Sequence, residues 1–313
     1  MNIQQFRYAA EVARRGLNVS DAASALHTSQ PGVSRQIREL EAELGTPLFV
    51  RQGKRLTAIT DAGREILAGI DRILDEIANL KAVGQQFTAG DRGSLSVAVT
   101  HTQARYALPP VVTEFKKRFP DVHLKLLQGN PHQLARHLLD GEADLAIATE
   151  ALMEYDELVS LPGYQWHHCV VVPEGHPLTA LKRLTLEAIA AHPIVTYDPT
   201  FAGRTAIDKT FAARGLQPDI VLTALDSDVI KSYVALGLGV GLISEKAYRT
   251  GREEGLVAIS AAHLFPTQTT RIAFKRGTYL RGYVVEFIRL FAPHLQAQDL
   301  KDLDAGARES FSI

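Results

Sequence analysis

The apolar positions of this chain change period along its length. Over residues 3–15, Phe6, Ala9, Ala10, Val12 and Ala13 recur at helical spacing and predict a helix with one inward stripe. Ser20 stands where an N-cap would open a second helix over 21–26, in which Ala22, Ala23 and Ala25 are small enough for close packing. His27 and Thr28 form a turn, and Ser29 is set to cap a third helix over 30–44. Pro31 falls in the first turn of that helix, where a missing N–H costs nothing. Val33, Ile37, Leu40 and Leu44 share its inward face, leaving Gln30, Ser34, Arg35 and Arg38 outward. Gly45 is a stop signal. Two short apolar runs, 48–50 and 56–59, flank Gln52 and Gly53 and predict a hairpin with Arg51, Lys54 and Arg55 at its tip.

Two short helices, a tight turn and a basic ribbon form the pattern of a winged helix-turn-helix. An amide, a hydroxyl and guanidinium forks on the outer N-terminal face of the third helix match base edges in a major groove. A basic ribbon suits phosphate or the minor groove. The net charge of the chain is only −1, but residues 1–60 carry eight Lys/Arg against five acids. A basic head on a neutral body fits local phosphate contact and excludes a protein that coats DNA over its whole surface. For any one arginine, a solvated basic loop is an equally good account; for the whole arrangement, DNA binding is the better one.

Thr60 or Asp61 would cap a long helix running to about residue 87. Its Ile66, Ile70, Ile73, Ile77 and Leu80 alternate by four and three, and Gly84 and Phe87 continue the phase. That heptad seam predicts dimerisation, which would hold two heads on two half-sites. The alternative is a helix buried against its own chain. Residues 86–94 are a polar, glycine-containing hinge.

From residue 95 strand-like runs alternate with helical stretches in two successive sets. The alternation predicts a two-lobed α/β body with mainly parallel sheets and crossings near 159–170 and 265–270. Ligands of such sheets bind beyond the carboxyl ends of the strands. Those ends fall at Thr100–Gln103, at Thr149 and at the loop 198–204, where hydroxyls, an amide and helix N-termini suit a small anion. The Gly237–Gly241 run precedes a strand instead of opening a helix, so it fails the context test for a nucleotide loop and is read as close packing of helix to sheet. His167 and His168 are structural or pocket-wall residues, and the single cysteine, Cys169, is a buried packing residue. No catalytic set, metal-ligand spacing or cofactor motif stands out. One cysteine permits no intrachain disulfide, the N-terminus is polar at once, and no run reaches 18 apolar residues. The expectation is a cytoplasmic protein with no membrane span.

The head signature LNVSDAASALHTSQPGVSRQIRELEAELGTPLFVR resembles that of the LysR-type transcriptional regulators. In the body, THTQARYALP, ADLAIATEA, LVSLPGYQWHH and DVIKSYVALGLGVGLI resemble the CysB-like branch, which regulates cysteine biosynthesis and sulfur assimilation. The resemblance implies a DNA-binding domain over 1–60, a linker and hinge over 61–90, a periplasmic-binding-protein-like effector domain over 91–300 and a tail over 301–313. The effector domain divides into lobe I, about 91–162 and 270–300, and lobe II, about 163–269. With the residue reading it gives a DNA-contact set of Ser29, Gln30, Pro31, Ser34, Arg35, Arg38, Arg51, Lys54 and Arg55. It implies an effector site at Thr100, Thr102, Gln103, Thr149 and Trp166, to which the third strand end adds Asp198, Thr200 and Ala202. The implied partners are double-stranded promoter DNA, a small polar effector (acetylserine, sulfate or a related sulfur metabolite), further copies of the chain as dimer or tetramer, and RNA polymerase. Where the branch usually has threonines, this chain has Asp198 and Ala202. If both face the cleft, a zwitterionic or sulfonate-type effector should be preferred to free sulfate. The competing functional reading is a solute-binding protein without a regulatory role, which the head and the lack of a signal peptide oppose.

Overall fold

A computed structural model describes residues 1–53, 55–89, 92–248, 255–295 and 300. Lys54, the hinge positions 90–91 and the tail 301–313 lie outside the described residues. The chain divides into two compact units, Met1–Thr88 and Ala89–Ile313.

In the first unit, polar side chains set where each helix begins. Helix α1 (Ile3–Arg14) opens on Asn2, which accepts the Gln5 N–H at 2.9 Å while the Gln5 side chain accepts the Asn2 N–H at 3.1 Å. Helix α2 (Val19–Ala25) starts earlier than expected, because Asn18 rather than Ser20 is its cap. The Asn18 side chain reaches the N–H groups of both Ser20 and Asp21, at 3.1 and 3.2 Å, which places Ser20 inside the first turn. Ser29 caps α3 (Gln30–Leu44) through the Gly32 N–H, and Gly45 ends it in the left-handed conformation at φ +70°. Strands β1 (Phe49–Gln52) and β2 (Arg55–Ile59) pair antiparallel. Helix α4 (Asp61–Ala89) begins where Thr60 accepts the Gly63 N–H at 2.8 Å. Ala9, Val12, Ala22, Val33, Ile37, Leu40 and Leu48 form the core, closed by Leu67 and Ile70 of α4.

The seam of α4 therefore divides. Ile66 and Ile70 pack on the head, whereas Ile73 is 45%, Leu80 65% and Phe87 85% exposed.

Among the described residues, the second unit holds two five-stranded sheets. The first lobe is built from β3 (Gly93–Val99), α5 (Leu108–Arg118), β4 (Val122–Gln128), α6 (Pro131–Leu139), β5 (Leu145–Ala148) and β6 (Leu158–Trp166). The second is built from β7 (His168–Pro173), α7 (Leu186–Ala190), β8 (Ile194–Tyr197), α8 (Ala202–Ala213), β9 (Ile220–Ala224), α9 (Ser227–Ala235), β10 (Val240–Ser244) and β11 (Leu256–Ser260). The chain then returns to the first lobe as β12 (Gln268–Lys275) and α10 (Gly282–Phe291). The strand orders are β4-β3-β5-β12-β6 and β11-β7-β10-β8-β9.

Both sheets are mixed, a correction to the mainly parallel expectation. The βαβ segments give parallel β4-β3-β5 and β10-β8-β9, but the segments that pass between lobes enter in the opposite sense. Thus β12 runs antiparallel to β5 and β6, and β7 antiparallel to β10 and β11. Strand β6 stays opposite β12 as far as the Trp166–Gln268 pair, so the first crossing is at His167, inside the expected 159–170 segment and past the 162/163 lobe boundary. Strand β11 was not anticipated. The glycine run before β10 serves close approach: a Cβ on Gly239 would meet the Pro193 carbonyl oxygen at 2.4 Å, and one on Gly241 would meet Val234 of α9 at 2.9 Å. Among the described residues no helix is long and apolar enough to cross a membrane.

Candidate effector cavity and DNA-reading face

Strand β3 ends at Val99, and the chain turns at once into a helix whose residues Gln103–Ala107 form a wide π-helical turn before α5. Such turns recur at functional sites because they re-aim side chains. Here Thr100, Thr102 and Gln103 meet Thr149, at the end of β5, and Trp166, at the end of β6. Tyr197, Phe201, Gly203 and Ser244 of the second lobe complete a cavity of about 30 Å³. That exceeds the ~10–15 Å³ one water needs.

The lining holds no Lys, Arg, Asp or Glu. Gln103 is fixed: its amide donates to Thr270 at 3.2 Å, and its oxygen accepts the Tyr164 hydroxyl. Thr102 meets Ser227 at 3.3 Å, and Ser227 meets Tyr197 at 2.7 Å; the Tyr197 hydroxyl also accepts the Ser244 N–H at 2.9 Å. Burial pushes the Tyr197 phenol up to about 12, so it stays a neutral hydroxyl. Among the described residues, two buried groups on this lining have no hydrogen-bond partner: the Thr149 hydroxyl and the Trp166 indole N–H. Buried donors are normally paired, so orphans at a cavity mark where a ligand's acceptors belong. Helix α8 adds an N-terminus whose cap position is Phe201, which offers no side-chain acceptor. Behind Trp166 lies His168, buried, with ring centroids 5.0 Å apart. Burial drops its imidazole to about 4, with His167 acting in the same sense and a backbone contact at Gly203 opposing.

Of the third strand end, Tyr197, Phe201 and Gly203 join this cavity, but Asp198, Thr200 and Ala202 do not. Asp198 accepts both the N–H and the hydroxyl of Thr200, at 3.0 and 2.7 Å, and these bonds hold its carboxyl below the usual carboxylate range. Thr200 and Ala202 line a separate open groove of about 1000 Å³, with His132, Glu150 and Lys209 among its walls. The expectation that Asp198 and Ala202 face the cleft with Thr100 and Thr149 is thereby corrected, and the preference against free sulfate loses its basis. The sequence reading placed the loop 198–204 at the site without singling out Phe201 or Gly203, and it missed Tyr197, Ser227 and Ser244. Applying the strand-end rule to β9 and β10 would have flagged both serines.

A second cluster spans the lobes beside the cavity. Arg105 Nε is 2.7 Å from Asp228 Oδ2, the Tyr106 hydroxyl donates to Asp228, and Lys231 Nζ donates to the Tyr106 oxygen at 2.8 Å. Burial alone would raise the Asp228 carboxyl, but the hydrogen bonds from Tyr106 and Lys231 hold it below the ordinary value. His101 Nδ1 is 3.9 Å from both Asp226 and Asp228.

In the first unit, Gln30, Pro31, Arg35 and Arg38 lie exposed on α3, with Ser29 at its start and Ser34 half-buried. The Gln30 amide donates to the Ser34 hydroxyl at 3.1 Å, and Arg35 rests on Glu39 one turn on at 2.8 Å. Arg55 is exposed on β2. Arg51 is not at the hairpin tip: it lies in β1, half-buried, with its guanidinium on Glu41 at 2.9 Å.

Two family models match the chain. Residues 3–64 match the bacterial regulatory helix-turn-helix protein of the lysR family, and residues 88–296 match the LysR substrate binding domain. The chain is 52% identical to the HTH-type transcriptional regulator CysB of Burkholderia cenocepacia over the full length of both. It is 50% identical to the regulator SsuR of the same organism, over 97% of this chain and 98% of that one. The crystal structure of the cofactor-binding domain of the Cbl transcriptional regulator superposes with a TM-score of 0.67 at 46% identity, covering 69% of this chain and 95% of that one. The chain belongs to the LysR family of transcriptional regulators. It is a regulator of the sulfur-assimilation group and not an enzyme, as the sequence motifs indicated.

Proposed function

We propose that this regulator binds promoter DNA through the exposed face of α3 and the basic hairpin, under control of a small acid held between the lobes by neutral donors. Thr100, Thr102, Thr149 and Trp166 face the acid's oxygens, and the N-terminus of α8 supplies positive potential without a counter-ion. Sulfate and acetylserine both fit this chemistry. The observation that carries the reading is the pair of unpartnered buried donors, the Thr149 hydroxyl and the Trp166 N–H, on a cavity with no charged side chain. The protein would act in the cytoplasm as a dimer or tetramer, paired through α4, and would address RNA polymerase from the promoter.

Calorimetric titration with sulfate and with N-acetylserine tests the cavity. Binding of at least one ligand is expected, weakened about tenfold or more in Thr149→Val, which removes the hydroxyl and keeps the shape. Equal affinity in the variant would overturn the assignment of Thr149. Footprinting should show spaced half-sites, and Arg35→Ala should cost roughly 1–3 kcal/mol if that side chain reads a base.

A further inference from the structure

We propose that Arg105, Tyr106, Asp228 and Lys231 form a clasp between the lobes that positions Thr102 in the cavity, so that effector affinity depends on side chains the effector does not touch. The inference rests on the reading of the cavity as an effector site.

Arg105 and Tyr106 belong to the first lobe; Asp228 and Lys231 stand one turn apart on α9 of the second. On α9 the two charges already meet at 3.2 Å, and Lys231 also donates to the Ala247 carbonyl at 2.9 Å. The second lobe thus supplies its own partners for a lysine that is 4% exposed. The Tyr106 hydroxyl inserts between them from the other lobe: it donates to Asp228 and accepts from Lys231, whose Nζ lies 5.1 Å from the ring centre. A hydroxyl in both roles fits only while the lobes are together. Arg105 adds a charge-assisted contact at the rim.

Two links join the clasp to the cavity. Residue 227, next to Asp228, is the serine whose hydroxyl meets Thr102. Gln103, Arg105 and Tyr106 lie on the same π-helical turn, so one rigid turn carries a cavity wall and the first-lobe half of the clasp. A cation is the other occupant this corner could take, because His101, Asp226 and Asp228 offer ligand atoms within 4.8 Å of one another. It would sit against the fixed charges of Arg105 and Lys231, and the Asp226 oxygen that faces His101 already accepts the Val229 N–H at 2.9 Å. These contacts favour the clasp.

Trp166 is the single tryptophan and lines the cavity, so its fluorescence reports ligand in the full-length protein. Stopped-flow measurements with sulfate and with N-acetylserine should show a faster ligand off-rate in Tyr106→Phe, about tenfold, because the ring stays and only the bridging hydroxyl goes. Arg105 is largely exposed, so Arg105→Ala should raise the off-rate only about twofold, with recovery in Arg105→Lys. Hydrogen exchange on the ligand-free protein gives an independent arm. Residues 101–106 and 227–231 should exchange faster in Tyr106→Phe while the sheet cores do not change. A wild-type off-rate in Tyr106→Phe would overturn the coupling. Unchanged exchange in both segments would overturn the clasp itself. If neither probe changes the fluorescence of the wild-type protein, the effector reading fails, and the exchange arm alone then decides whether the clasp exists.

Discussion

Glu41 holds Arg51 at 2.9 Å, and the same carboxylate accepts the N–H groups of Leu48 and Phe49 at 2.9 and 3.1 Å. One side chain of α3 thus fixes the root of the wing to the helix that presents the candidate base contacts. Glu41→Ala would leave two backbone donors and a guanidinium without this partner, a loss of about 2–3 kcal/mol for a largely buried charged acceptor. Denaturant unfolding checks it, and an unchanged midpoint would sink it. The same geometry separates the arginines. Arg55→Ala should lower the slope of log K against log salt by about one, whereas Arg51→Ala should leave the slope alone and lower head stability.

The sequence made most of the head legible because each helix there carries its own start and stop. Ser29, Pro31 and Gly45 act within a few residues of themselves, so α3 could be read to the residue. Asn18 and Ser20 are both good caps, and only the backbone decides between them. The antiparallel strands were hidden for another reason. Apolar runs show that β7 and β12 are strands, but the direction in which a strand joins its sheet depends on where the chain crosses between lobes. The cavity was half legible by the same logic. Thr100, Gln103 and Thr149 sit at ends of parallel strands, as the general rule requires. Asp198 sits at such an end too, but a local bond to Thr200 turns its carboxylate aside, a choice made by two side chains and invisible to pattern.

His168 should make stability depend on pH. Its folded-state value, about 4, lies below the ordinary 6.5, so the buried ring stays neutral while an unfolded chain takes up a proton first. Its contribution is therefore full above about pH 6.5 and is lost as pH falls towards 4, up to about 3 kcal/mol at 1.36 kcal/mol per pH unit. Unfolding midpoints followed from pH 7 to pH 4.5 should fall more steeply in the wild-type protein than in His168→Gln. Parallel curves would show that the ring does not titrate on unfolding.

Cys169 should be chemically silent. It lies on β7, buried, and desolvation pushes its thiol up to about 12, with Glu245 acting in the same sense. The thiolate is the reactive form, so a disulfide reagent at pH 8 should find no reacting thiol in the native protein and one after unfolding. Rapid native labelling would contradict the burial.

The apolar line on α4 gives the sharpest test of assembly. Ile73, Leu80 and Phe87 are spaced by seven and project from a helix whose Ile66, Leu67, Ile70 and Leu74 pack on the head. A seven-residue repeat on one face is the pattern that pairs helices. Burying a side chain of the size of Leu80 is worth about 1.5–3 kcal/mol, and a symmetric pair counts it twice. Leu80→Asp should therefore shift sedimentation towards the monomer at micromolar concentration. It should also weaken DNA binding, because single heads lose the gain from reading two half-sites together. The substitution lies outside the head core, so the thermal unfolding of the head should hold. If Leu80→Asp sediments as the wild-type protein does, α4 is not the pairing surface.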